Sequence, residues 1–242
     1  MNPVIDISIV IPVHNEAGSI GTLITEIERL QLSHSFEIII VDDASTDNTH
    51  ARLLSLQADV PRLKIIQHQS NYGQSAAIAT GIAHANGDLI VTMDGDGQNN
   101  PADIPRLIDS ISHSNNGNVL MIAGFRKKRN DPRWRIISSK IANSVRSFFL
   151  NDQTPDTGCG LKIFYRSAFI SLPFFDHMHR FLPSLIQMQG GEVISMEVTH
   201  RARIHGTSKY GTMNRLWVGI VDMLGVSWLR LRTKKIIINR CD

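Results

Sequence analysis

The sequence predicts an α/β fold with a mostly parallel central sheet flanked by helices, and three observations carry that expectation. Short apolar runs alternate with segments of helical period through the first half of the chain, as βα units around a parallel sheet do. Polar clusters follow three of those runs, PVHNE (12–16), DDASTD (42–47) and DGDGQ (94–98), where the carboxyl ends of parallel strands line one crevice. A length of 242 residues with ordinary apolar content suits one sizeable domain with its own core.

Taken in order, VIDISIVIPV (4–13) has the pattern of a buried first strand. Ile20, Leu23, Ile24, Ile27 and Leu30 then recur at helical spacing, so an amphipathic helix packs on the sheet. FEIIIVDD (36–43) and LKIIQH (63–68) read as strands two and three, separated by a helix that Thr46, Asp47 or Asn48 would cap. A helix over 73–87 ends at a glycine, DLIVTMD (88–94) is a central fourth strand, and Pro101 with Asp103 starts a further helix. After VLMIAGFR (119–126) the order reads helix, strand, helix, strand at about 133–149, 161–165, 179–189 and 192–199. No repeat or low-complexity tract appears, and the loops at 113–118 and 151–158 are too short to divide the chain. The expected division is a catalytic unit over 1–212 and an amphipathic helix with a basic tail over 213–242.

The net charge is +3, with the basic excess held in GFRKKRNDPRWR (124–135) and WLRLRTKK (228–235). Such patches draw phosphate groups, anionic membrane or nucleic acid. A nucleic-acid module is disfavoured, because the patches lack aromatic interleaving and any recognised motif. Cys159 and Cys241 lie far apart without metal-ligand neighbours, which suits a reduced, cytoplasmic protein. The start lacks the features of a signal peptide. LWVGIVDMLGVSWL (216–229) is too short to span a bilayer comfortably and carries Asp222, so no transmembrane helix is expected.

Which ligand would the crevice take? The first strand is followed by HNEAGS rather than a glycine-rich fingerprint, and no P-loop pattern occurs. Asp42 and Asp43 would accept hydrogen bonds from a ribose or base edge. In an extended segment residues i and i+2 project to one side, so Asp94 and Asp96 can reach one hard divalent cation and bridge it to a pyrophosphate. An EF-hand is excluded, since its sixth and twelfth positions would be Asn99 and Pro105. A glycosidase pair would come from separate elements, and a plain Asp-Gly turn accounts for one cluster but not for three in one crevice.

The stretches IVIPVHNE, VDDASTDNT, NYGQSAAIATGIAHANGD, MDGDGQNNP, DTGCGLKIFYR (156–166) and RIHGTSKYG (203–211) together resemble glycosyltransferase family 2. Within it the chain is similar to the polyprenyl-phosphate sugar transferases, of which the dolichyl-phosphate mannosyltransferases are the best known. The likeness spans about residues 4–212 in consistent order. It implies a GT-A fold, inverting transfer from a nucleotide sugar, with GDP-mannose favoured over UDP-sugars, and a Mg2+ or Mn2+ ion. Pro12, His14 and Glu16 match the loop that contacts the nucleotide, with His14 where tyrosine is common. Asp43 matches the nucleotide-recognising aspartate, beside Asp42. Asp94, Gly95, Asp96 and Gln98 match the metal and pyrophosphate motif, although Gly97 replaces the usual leucine. Arg126 corresponds to a basic residue near the donor phosphates, Arg135 and Ser139 to acceptor-phosphate contacts, and Arg203 with Lys209 to the motif that closes over the site.

A lipid phosphate is already anionic, so the nucleophile needs positioning and charge shielding more than a strong base. Asp96, Arg203 and Lys209 are therefore the expected catalytic residues, the two cations stabilising the leaving diphosphate. Asp156 would order the acceptor or sugar, or cap its loop, while His205 and Cys159 read as structural. Leu216, Trp217, Ile220, Val221, Leu224, Trp228 and Leu231 recur at helical intervals, followed by Arg230, Arg232, Lys234 and Lys235. That pattern suits either a core helix or an interfacial helix that holds the enzyme on the cytoplasmic face of a membrane. Two other functions fit less well: transfer to a glycan hydroxyl, which would need a general base that the sequence does not show, and non-catalytic nucleotide-sugar binding, against which the intact Asp94, Asp96, Arg203 and Lys209 speak.

Overall fold

A computed structural model describes residues 5–114, 117–127, 146–147, 149–150, 152–202 and 212–233, the last segment with side chains from 218 onward. Arg135, Ser139, Arg203, His205, Lys209 and most of the helix expected over 133–149 lie outside the described residues, as do the side chains of Leu216 and Trp217, Lys234, Lys235 and Cys241.

Seven strands form one sheet in the order β3-β2-β1-β4-β6-β5-β7. β1 (Ile7–Val13), β2 (Phe36–Asp42), β3 (Leu63–Gln67) and β4 (Leu89–Thr92) are mutually parallel, while β6 (Lys162–Tyr165) runs antiparallel between β4 and β5 (Val119–Phe125). β7 (Glu192–Glu197) pairs parallel with β5. The sheet is thus parallel in its first half and mixed in its second.

β1 and β2 are buried along nearly their whole length, and their side chains divide between the two faces by the strand period of two. Ile7, Ile9, Ile11 and Val13 join the core beneath α1 (Ile20–Glu28), α2 (Thr49–Gln57) and α4 (Ile104–Ser112). Val10, Ile39 and Val41 meet α3 (Gln74–Ala83) on the other face, where residues of α6 (Leu182–Met188) and α7 (Thr212–Arg232) complete a second core. Gly81 of α3 is needed for that approach, because a Cβ there would lie 2.4 Å from Val10 Cγ1. α5 (Arg166–Ile170) is a short helix that the sequence pattern did not announce.

Pro12 sits inside a central strand, a position that ordinarily demands a backbone donor. Val10 O accepts from Met93 N and Val13 O from Asp43 N, so even-numbered residues of β1 face β4. β4 stops pairing at Thr92, opposite Val10, so Pro12, paired with Val41 of β2 on the other side, has no β4 partner left to lose. The chain order turns in opposite directions from β1 and β4, so their carboxyl ends open the crevice where open α/β sheets bind ligands.

α7 packs one face inward through Met223 and Val226, and presents Val221, Leu224, Trp228 and Leu231 to the outside. Core packing and an open apolar face, which the sequence offered as alternatives, therefore occur on one helix. No described helix is long and apolar enough to cross a membrane.

Candidate active site

The loop that follows β4 carries Asp94 and Asp96, and its shape is fixed from several sides. Asp94 N donates to Asn99 Oδ1 at 3.0 Å, Gln98 N donates to Asp96 Oδ1 at 3.0 Å, and Gly97 takes a left-handed φ of 74°. Gly95 lies against β1, where a Cβ would come within 2.6 Å of Val13 Cγ1, and its carbonyl accepts from Ser19 Oγ at 2.9 Å. Arg201 N donates to Gln98 O at 2.9 Å, and the Arg201 guanidinium is bound to both Glu26 oxygens. The last described residues before the RIHGTSK stretch are thereby tied to the aspartate loop.

Burial and the neighbouring Asp96 push the Asp94 carboxyl up to about 6, against the pull of Lys162, Arg126 and a hydrogen bond from Gln74. Gly160 passes so close that a Cβ would lie 2.4 Å from the Asp94 carboxylate, and Gln74 Nε2 donates to Asp94 Oδ1 at 2.8 Å. No described group of three His, Cys, Asp or Glu side chains could enclose a metal alone. One or two carboxylates are instead what Mg2+ or Mn2+ needs when substrate phosphates supply the other oxygens, so Asp94, on the cavity and close to Asp96, fits a divalent ion shared with a pyrophosphate.

The neighbouring loops are braced against this pair. Asp43 accepts from Tyr72 N at 2.9 Å, Gly73 N at 2.8 Å and His68 Nδ1 at 2.8 Å, which fixes the start of α3 and hence Gln74. His14 Nδ1 donates to Asp43 O at 2.8 Å, and Asn15, at a φ of 58°, bridges to Thr46 and Asp47. Glu16 accepts from Ser19 Oγ, and its own N–H donates to Thr49 Oγ1. Asp42, expected to accept from a ribose or base edge, is fully buried, accepting from Ser45 N at 2.9 Å and lying 3.2 Å from His50 Nδ1.

On the opposite wall, Arg126 forms a two-pronged ion pair with buried Asp156, at 2.6 and 3.0 Å. Asp156 neither caps its loop alone nor stands free for a substrate; it latches the end of β5 to the 152–160 loop. Arg146 binds Asp152, Thr154 O and Thr157 behind that loop. Cys159 is wholly buried, and burial raises its thiol above the ordinary range, in keeping with a structural role.

Sequence reasoning passed over Gln74, Lys162, His179 and Arg180, which border a cavity beside Asp94. Lys162 had a signal: a single charge in the apolar run LKIFY, now 4% exposed within β6. His179 and Arg180, expected to open a helix over 179–189, sit instead in a short 3-10 turn (Met178–Arg180) ahead of α6.

Comparison with known proteins agrees with this architecture. Solved structures resembling it include glucosyl-3-phosphoglycerate synthase from Mycobacterium tuberculosis in complex with Mn2+, uridine diphosphate and phosphoglyceric acid, at a TM-score of 0.70 and 16% identity over 95% of this chain and 80% of that one. The mannosyltransferase PcManGT from Pyrobaculum calidifontis with GDP-Man and Mn2+ gives 0.66 and 19% over 97% and 66%. These likenesses establish the GT-A fold. Among curated proteins, the dodecaprenyl-phosphate galacturonate synthase of Rhizobium johnstonii is 37% identical over 92% of this chain and 66% of its own length. The undecaprenyl-phosphate 4-deoxy-4-formamido-L-arabinose transferase of Aeromonas hydrophila is 33% identical over 93% and 69%. The chain thus spans about two thirds of the length of these relatives. With the Glycosyl transferase family 2 profile matching residues 8–172 across the strands and loops just described, the chain belongs to that family.

Proposed function

We propose that this glycosyltransferase moves one sugar from a nucleotide-sugar donor to a polyprenyl phosphate at a membrane surface. The observation that carries the proposal is the placement of Asp94 and Asp96 on one loop at the switch point of the sheet, where Asp94 borders a cavity and its carboxyl is pushed up to about 6 by burial and by Asp96. The relatives' names supply the acceptor class, dodecaprenyl and undecaprenyl phosphate.

Asp94, Asp96 and Gln98 would hold the divalent ion, which when bound screens the donor pyrophosphate. Pro12, His14, Glu16, Asp43 and Gly95 shape the floor beneath the nucleotide, and Arg126 adds positive charge beside the phosphates. An oxygen of the acceptor phosphate attacks the anomeric carbon, the bond from that carbon to the diphosphate breaks, and the electron pair leaves with the nucleotide. Arg203 and Lys209 stabilise that departing charge, and Arg135 with Ser139 receive the acceptor phosphate. No proton needs removal from the nucleophile. The exposed face of α7, with Trp228 at headgroup level and Arg230 and Arg232 toward anionic lipid, brings the site to its acceptor on the cytoplasmic face.

The donor is the open choice within this reaction. The resemblance favours GDP-mannose, whereas the relatives are named for galacturonate and formamido-arabinose. The test is transfer by purified protein with Mg2+ or Mn2+, offering GDP-mannose and a panel of UDP-sugars to undecaprenyl and dolichyl phosphate. Metal-dependent label in the lipid phase is expected. Donor binding without lipid labelling would overturn the acceptor assignment.

A further inference from the structure

The cavity beside Asp94 has a volume of about 410 Å3 and is bordered by Gln74, Thr157, Lys162, His179 and Arg180. Because it adjoins a carboxylate placed to bind metal and pyrophosphate, the group that enters it is the one bonded directly to that pyrophosphate, the donor's sugar. Its lining is unusual for a neutral hexose. Asp94 is the only carboxylate among the described lining residues, and two of the others are cations.

Lys162 is 4% exposed, and its ammonium is hydrogen-bonded to Cys159 O. An ammonium has three donors, so two remain unfilled among the described residues. Of the two carboxylates whose charge Lys162 feels, Asp94 and Asp156, the second is already bound to Arg126. Arg180, half-buried, borders the same cavity and feels the charge of Asp222. His179 is taken, held to Ser75 Oγ at 2.7 Å.

A sugar hydroxyl can accept from an ammonium or guanidinium, but it also brings a donor that neither can accept, and an ammonium as buried as that of Lys162 is costly without an anion. The complementary group is one that only accepts and carries negative charge. Resting on the transfer reaction proposed above, we infer that this cavity selects a donor sugar bearing a carboxylate, a hexuronic acid, with Lys162 and Arg180 as the residues that determine the choice.

The test is calorimetric binding of UDP-glucuronate, UDP-galacturonate, UDP-glucose, UDP-galactose and UDP to the full chain with Mn2+. It is run on the wild type, Lys162→Met and Arg180→Gln, with transfer to undecaprenyl phosphate measured in parallel. The wild type is expected to bind the uronates roughly tenfold or more tightly than the neutral sugars, as sites built around a polar substrate group do. Each variant should lose most of that preference while keeping its affinity for UDP, which also shows that it has folded. Equal binding of acidic and neutral donors by the wild type would overturn the inference. So would variants that keep the preference but raise KM for undecaprenyl phosphate, because that result would place the acceptor's phosphate at these cations. A uronate preference in binding without any lipid labelling would uphold the cavity's specificity and refute the acceptor instead.

Discussion

The two halves of the sheet serve the crevice in different ways. In the parallel half, β1 to β4, each strand ends in a polar loop that reaches the ligand side directly, and the loops brace one another through short hydrogen bonds such as Asp43 to Tyr72 N and Gly73 N. In the mixed half, β6 runs backward between β4 and β5, so it is the start of β6 and the loop before it, Thr157–Lys162, that meet Asp94. In the proposed reaction the first half supplies the nucleotide and metal floor from strand ends, and the second borders the cavity beside Asp94 with groups that only tertiary packing brings there.

The contrast is broken most severely at its shared edge. Asp96→Asn should lower turnover by roughly a thousandfold or more, in line with removal of a principal charge-stabilising group, while circular dichroism and thermal midpoint stay near wild type. Retained turnover would remove the aspartate pair from the reaction. Gly160→Ala attacks the same edge from the second half. Its Cβ would meet the Asp94 carboxylate at 2.4 Å, so Mn2+ affinity measured by titration should fall by about tenfold or more although no ligand has been changed. Unaltered Mn2+ binding would mean that the 158–160 loop yields freely.

How much of this was legible follows the same division. The strands at 4–13, 36–43, 63–68 and 88–94 stood out because an apolar run with a polar end is a local signal, and each is present within a few residues of the expected bounds. Asp94, Asp96 and Asp43 stand out because they lie at strand ends. What such a signal leaves out is orientation: adjacent residues of a strand face opposite ways, and the sequence does not say which partners Asp42 and Asp43 each meet. Lys162, His179 and Arg180 were missed because their importance depends on an antiparallel insertion that β6's pattern does not reveal.

A smaller effect separates the metal floor from its surroundings by pH. A metal held by Asp94 would compete with a proton there, because burial and the neighbouring Asp96 push that carboxyl up to about 6. Mn2+ affinity should therefore be flat above pH 7 and weaken about tenfold from pH 7 to pH 5, as expected for a ligand that must be deprotonated. The sign for stability is opposite: in the metal-free protein the raised pKa favours the folded state at low pH, and that contribution fades as pH rises through about 6. A metal affinity that does not change between pH 7 and pH 5 would show that Asp94 is not a ligand.

On the second half alone, Asp156→Asn leaves the Arg126 guanidinium without its charge partner. Loss of a buried ion-pair partner costs about 3 kcal/mol or more, somewhat less here because Arg126 is partly exposed. Denaturant unfolding should show that loss, with a moderate fall in turnover as the β5 end and the 152–160 loop separate. An unchanged denaturation midpoint would make the latch dispensable.

The smallest effect is expected farthest from the chemistry. Trp228 is 60% exposed on α7, while Met223 and Val226 on the opposite side are buried, so Trp228→Ser removes an outward anchor without opening the core. Binding to vesicles of anionic phospholipid should weaken by several-fold, as loss of one interfacial aromatic implies. Turnover with a short-chain, water-soluble prenyl phosphate should be unchanged, because that acceptor reaches the crevice without a membrane. If both readouts fall together, α7 contributes to the crevice itself through the His177–Asp222 contact at 3.3 Å, which joins it to the turn carrying His179 and Arg180. The pairing of a lost membrane contact with an intact soluble reaction is what distinguishes a helix that delivers the enzyme to its lipid from one that shapes the cavity.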